Sequence, residues 1–200
     1  MAAELNLLSP EEYLARERLA EYKSEYVYGQ VYAMAGGSPE HNLVAGNVHT
    51  ALNIALRARP CLVFNSDMKV RLPNSLKFYY PDATVVCEKP RYADDERDAL
   101  LNPLLLVEVL SPSTATYDRS KRFQHYQEIP SFREYLLVAQ DEPLIERFVK
   151  QADGNWLYTK IAGLDQRLEL VTLDCQLALQ DIYAKVEWPI STIEATLLPR

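Results

Sequence analysis

The sequence lacks several features that would place it quickly. No apolar run approaches the ~20 residues needed to span a bilayer. Cysteine is scarce: Cys61, Cys87 and Cys175 are the only three, far apart and without CxxC spacing. That argues against a disulfide framework and a structural zinc site, and suggests a reducing, cytoplasmic setting. Bulk positive charge is missing too. The net charge is −7 and the pI near 5.1, so the usual basic footprint of a nucleic-acid binder is absent, although a local patch can be basic on an acidic protein. The amino terminus "MAAELNLLSPEEYLARERLAEY" is charged too early and too often for a signal peptide. There is no internal repeat, low-complexity tract or linker-like shift in composition.

What remains is ordinary globular composition, 48% hydrophobic and 24% charged over 200 residues, enough for one domain with a sizeable core. Tyrosine is plentiful, thirteen in all, which suits half-buried strands and interfaces. Two helix starts are clear. Ser9 precedes Pro10 and two glutamates, predicting a helix to about Tyr22. Ser38 precedes Pro39, and Leu43, Val44, Val48, Ala51, Leu52, Ala55 and Leu56 recur at helical spacing. Between them "EYVYGQVYAMAGG" reads as a hairpin around Gly29. "CLVFNSDMKVRL", "FYYPDATVVCE" and "PLLLVEVLS" read as strands, and "TYDRSKRFQHYQEI" as a helix ending before Pro130. "REYLLVAQ", "PLIERFVKQ", "NWLYTKIA" and "LELVTL" add strands, and "LQDIYAKV" a short last helix. This order predicts an α/β protein with one mixed sheet flanked by helices. The almost purely apolar strand Leu104–Leu110 belongs at its centre, covered on both faces.

One acid, Glu108, stands inside that apolar strand. A buried, unpaired carboxylate costs several kcal/mol or gives up its charge, so it needs a partner. Asp82 follows Pro81 at the head of "ATVVCE". If the two strands are neighbours, the carboxylates lie side by side and repel unless a cation or proton separates them. Mg²⁺ suits such a pair, since it takes oxygen ligands and keeps waters and room for a phosphate. The alternative is that Asp82 opens a turn and Glu108 pairs with a structural arginine. The basic cluster "DRSKRF", with Arg119, Lys121 and Arg122, is either a nucleic-acid patch or a solvated helix face. Ser111 reads as a turn cap before Pro112 and not as a nucleophile, because no G-x-S-x-G elbow surrounds it.

The ordered set "YPDATVVCE", "LLLVEVLSPST", the following Asp-Lys-Tyr helix and "EYLLV" resembles the Uma-two endonuclease family of the PD-(D/E)XK restriction-endonuclease-like superfamily. "SEYVYGQVYAMAGGSPEH" is similar to the family's amino-terminal block. The resemblance runs from about Ser9 to the strand near Ala139. It implies a restriction-endonuclease-like fold, with 1–200 as a single domain, and hydrolysis of DNA phosphodiester bonds with Mg²⁺ or Mn²⁺. Asp82 and Glu108 would bind the metal, and Glu25 and His41 would support them. In the superfamily pattern a lysine follows the second acid by two residues, on the same strand face. Here that position is Leu110, and the resemblance implies that the lysine has moved to the next helix, as Lys121. The bland alternative is a surface Lys121 paired with Asp118. Two-strand cutting would suit a homodimer. A non-catalytic binding protein of the same fold, or a nuclease for RNA, are the competing readings.

Overall fold

The computed structural model describes residues 7–188. Ser9 caps α1 (Pro10–Glu17) with a reciprocal capping box: its hydroxyl accepts from Glu12 N–H while the Glu12 carboxylate accepts from Ser9 N–H. The helix ends five residues before the predicted Tyr22. Glu17 accepts from the N–H and hydroxyl of Ser24 and from Tyr80, which turns the chain into the first strand. β1 (Ser24–Val27) and β2 (Gln30–Ala33) form the expected hairpin. Its two-residue turn needs positive φ at both central positions, 50° at Tyr28 and 87° at Gly29, and glycine supplies one of them without strain.

Ser38 caps α2 (Pro39–Leu56) through its hydroxyl to the His41 N–H. Val44, Val48, Leu52 and Leu56 repeat every four residues and are all buried. Each contributes roughly 1.5–3 kcal/mol by leaving water. They pack on Ala83, Val85, Leu105, Val107 and Val109 of the sheet beneath.

Two predicted strands are each divided between two sheets. "CLVFNSDMKVRL" gives β3 (Leu62–Asn65) and β4 (Lys69–Arg71). "FYYPDATVVCE" gives β5 (Lys77–Tyr79) and β6 (Ala83–Val86). Pro81 has a fixed φ and no N–H, so the ladder cannot run through it. β1, β2, β4, β5 and the short β7 (Ala99–Leu100) form a five-stranded sheet in the order β2-β1-β5-β4-β7. The larger sheet adds β8 (Leu105–Leu110), β9 (Glu134–Ala139), β10 (Leu144–Lys150) and β11 (Trp156–Ala162), in the order β11-β10-β9-β8-β6-β3. It is mixed: β8 and β9 run parallel and the other pairs antiparallel. β12 (Arg167–Leu170) and β13 (Cys175–Ala178) make a small separate ladder, followed by the short helix Leu179–Ile182. The architecture is therefore α/β, with a mixed central sheet and flanking helices as expected, but with a second sheet hinged at Pro81.

β8 is buried along its whole length. Leu105, Val107 and Val109 face α2, while Leu106 and Leu110 face an aromatic layer of Tyr79, Phe123, Tyr126, Phe132 and Tyr135. The cysteines depart from the sequence expectation. Cys61 and Cys87 are disulfide-bonded. They lie one step beyond the Leu62–Val86 pair of the β3–β6 ladder, a juxtaposition that antiparallel register creates and a separation of 26 residues conceals. Cys175 is a free thiol. None of the described helices is long and apolar enough to cross a membrane.

Candidate active site

β6 and β8 are hydrogen-bonded neighbours, with Ala83 opposite Val107. Asp82 stands one residue before that pair and Glu108 one residue after it, so the two acids converge where the ladder ends. Asp82 is fixed at both oxygens: Oδ2 accepts the Val109 N–H at 2.7 Å and Oδ1 lies 3.1 Å from His41 Nε2. That contact, ahead of the opposing cost of burial, raises the His41 pKa above the ordinary imidazole value. His41 is reached by the first turn of α2. A Cβ on Gly37 would stand 2.6 Å from its ring, so glycine is what lets the preceding loop pass over the imidazole.

Glu108 is 6% exposed. Burial pushes its carboxyl well above the usual carboxylate range, against the pull of the Arg122 charge. Tyr126 donates its hydroxyl to Glu108 Oε1 at 2.6 Å, and Arg122 Nη1 approaches the same oxygen at 3.4 Å. Both hydrogen bonds fall on Oε1, which leaves Oε2 for a ligand in the cavity. Glu25, on β1 in the other sheet, takes both Nη atoms of Arg122 at 2.7 and 2.9 Å. Asp118 Oδ1 lies 2.8 Å from Arg122 Nε, and burial raises the Asp118 pKa. One buried guanidinium thus stands among three carboxylates.

These groups line one cavity of about 640 Å³. Its wall includes Glu25, His41, Asp82, Glu108, Asp118 and Arg122, with the 33–38 loop on one side and the 111–114 turn on the other. Four of the five sequence-predicted site residues, Glu25, His41, Asp82 and Glu108, come together there. Lys121 does not. It is exposed and is not among the lining residues. The helical segment 115–126 widens into a π turn over Asp118–Arg122, and the side chain that enters the site is the next one, Arg122. The basic cluster is therefore split three ways: Arg122 is buried, Arg119 pairs with Glu146 at the surface, and Lys121 is exposed. Ser111 behaves as a turn cap, accepting from the Thr114 N–H and sharing hydrogen bonds with the Ser113 and Thr114 hydroxyls.

Sequence reasoning does not assign Arg122, Asp118 or Tyr126 to the site. A signal was present: acid, arginine and tyrosine recur every four residues, 118, 122 and 126, along one helical face. The alternative reading of Glu108 also holds in part, because its arginine is there. Among the described residues, no group of three or more His, Cys, Asp or Glu side chains is gathered as a metal site. Two carboxylates with a free oxygen on Glu108 still fit Mg²⁺, which is commonly held by one or two carboxylates with waters completing its shell.

This arrangement, two acids where the ladder between adjacent strands of a mixed sheet ends, under a capped helix, is of the restriction-endonuclease-like class. The family model described as "Uma2: Putative restriction endonuclease" matches residues 10–180, and the chain belongs to that family. It is 39% identical over 178 residues to the uncharacterized protein slr1290 of Synechocystis sp., covering 88% of this chain and 91% of that one. It is 36% identical over 169 residues to the uncharacterized protein sll1609 of the same organism, covering 84% and 96%. A crystal structure from Anabaena variabilis, described as a putative nuclease belonging to DUF820, shares the fold with a TM-score of 0.68 at 15% identity, over 88% of this chain and 98% of that one.

Proposed function

We propose that this protein is a metal-dependent endonuclease that hydrolyses DNA phosphodiester bonds in the cavity between its two sheets. The observation that carries this reading is the meeting of Asp82 and Glu108 beside a buried arginine. Asp82 and Glu108 would hold Mg²⁺ or Mn²⁺, which would supply charge neutralisation at the phosphate and an acidified water. His41 and the Val109 N–H hold the Asp82 carboxylate in place. A cation held there would favour the ionised Glu108 carboxylate that burial disfavours. Arg122 is the group in reach of developing phosphorane charge, in the role that the sequence pattern assigned to Lys121. Glu25 and Asp118 hold its guanidinium in one orientation. The protein acts as a homodimer on this reading, one copy for each DNA strand.

The test is nicking of supercoiled plasmid in Mg²⁺ or Mn²⁺ by wild type, Asp82→Asn and Arg122→Gln. Metal-dependent nicking by wild type that both substitutions abolish supports the reading. Nicking that survives Asp82→Asn overturns the assigned site. A binding protein of the same fold is favoured by one observation, that Glu25 already takes both Nη atoms of Arg122. It predicts DNA retention without nicking.

A further inference from the structure

A second line of polar groups leaves the cavity and runs into the core. Tyr117 lines the cavity wall. Its hydroxyl lies 2.9 Å from the Tyr79 hydroxyl, which lies 2.6 Å from His125 Nδ1. Tyr79 is 0% exposed, and His125 is half-buried at the far end. The Arg122 guanidinium sits over both phenol rings, 4.8 Å from the centre of Tyr79 and 5.4 Å from that of Tyr117. The hydroxyl chain therefore touches the Arg122 cation as well as the cavity wall.

Each tyrosine has a single O–H to give. With Nδ1 bare, Tyr79 donates to His125, Tyr117 donates to Tyr79, and both hydroxyl protons point away from the cavity. With a proton on Nδ1 the order reverses. His125 donates to Tyr79, Tyr79 donates to Tyr117, and the Tyr117 O–H is free to turn into the cavity. One N–H bond forms, with a proton taken from solvent, and two hydroxyls rotate.

We propose that Tyr117 donates a hydrogen bond to an anionic oxygen of the phosphodiester, and that Tyr79 and His125 are positioning residues that switch it between accepting and donating. This rests on the phosphodiester reading above. His125 is faced by Lys77 and Tyr79 of β5, by Tyr28 of the hairpin turn, by Lys121 and Arg122 of the π turn, and by Glu128 just beyond its own helix. Burial and then the Lys77 charge pull the imidazole below its ordinary pKa, with Glu128 opposing. These groups disfavour the imidazolium in the free protein, where a neutral ring with its proton on Nε2 takes the Tyr79 hydroxyl at Nδ1, and the bound anion is what draws the donor chain round.

The experiment is ¹⁵N NMR of histidine-labelled protein, in Mg²⁺, titrated with a thymidine dinucleotide joined by a methylenephosphonate. That linkage keeps one negative charge and resists hydrolysis. The expected result is that His125 Nδ1 shifts from the bare-nitrogen to the protonated range as the probe binds, in wild type and not in Tyr79→Phe. Affinity should fall about three- to tenfold in Tyr117→Phe and in Tyr79→Phe, the loss of one hydrogen bond. Probe binding to wild type with Nδ1 still bare, or unchanged affinity in both variants, overturns the relay alone. If wild type takes up no probe, the relay falls together with the phosphodiester reading.

Discussion

Arg122 grips both carboxylate oxygens of Glu25, 97 residues earlier in the chain, and by doing so ties the five-stranded sheet to the helix that closes the larger one. The same guanidinium approaches Glu108 and Asp118. No other described contact joins so many parts of the site, and its loss would leave three carboxylates without their cation.

Arg122→Ala should therefore destabilise the fold by about 3–5 kcal/mol, the usual cost of breaking a buried ion pair from one side. Urea denaturation followed by tyrosine fluorescence measures it. A loss under about 1 kcal/mol would mean that water or a cation enters readily in its place.

The two neighbouring cations should behave differently in catalysis. Lys121→Ala is expected to leave plasmid nicking within about threefold of wild type, because the side chain is exposed and outside the cavity. Arg122→Gln should lower it by at least about a hundredfold, the scale of removing one transition-state donor. The reverse pattern would return the catalytic cation to Lys121.

Calorimetric titration with Mn²⁺ tests the acid pair without any nuclease assay. Wild type should release protons as metal binds, since burial raises the Glu108 pKa and a bound cation opposes that shift. Asp82→Asn should lose most of the binding. Equal affinity in the two proteins would remove Asp82 from the ligand set.

Glu134 gives a stability signature separate from the site. It is 0% exposed, Thr172 hydrogen-bonds its Oε2, and Oε1 has no partner. Burial raises its pKa. A raised carboxyl binds more protons folded than unfolded, so stability should fall as pH rises from about 4 through the raised value. Glu134→Gln should flatten that slope in denaturation curves run from pH 4 to 8. A slope unchanged by the substitution would assign it to another group.

The Cys61–Cys87 bond closes a loop of 26 residues. Peptide mapping without reductant should recover the two cysteines joined and Cys175 free. Cys87→Ser should lower stability by about 3–4 kcal/mol through the released chain entropy. Recovery of three free thiols from protein handled under air would contradict the pairing.

Much of the fold is written locally. Ser9–Pro10 and Ser38–Pro39 fix two helix starts because capping needs only neighbours in sequence. The four-residue repeat from Val44 to Leu56 fixes the buried face of α2. The apolar run of β8 states that it is covered on both sides, and the lone acid within it marks the site. Asp82, just ahead of the next strong apolar run, is the acid the sequence offers as its neighbour.

The rest depended on register and on one turn of helix. Pro81 divides a single apolar stretch between two sheets, and only the pairing of β5 and β6 with different partners reveals it. Cys61 meets Cys87 because an antiparallel ladder puts them opposite each other. Lys121 and Arg122 are adjacent cations with nearly the same local preference, and sequence alone could not choose between them. The π turn chose, by aiming one side chain at three buried carboxylates and the other at water. Local propensity and periodicity act over a few residues, whereas which charges meet is settled by packing of segments far apart in the chain, 97 residues for Arg122 and Glu25.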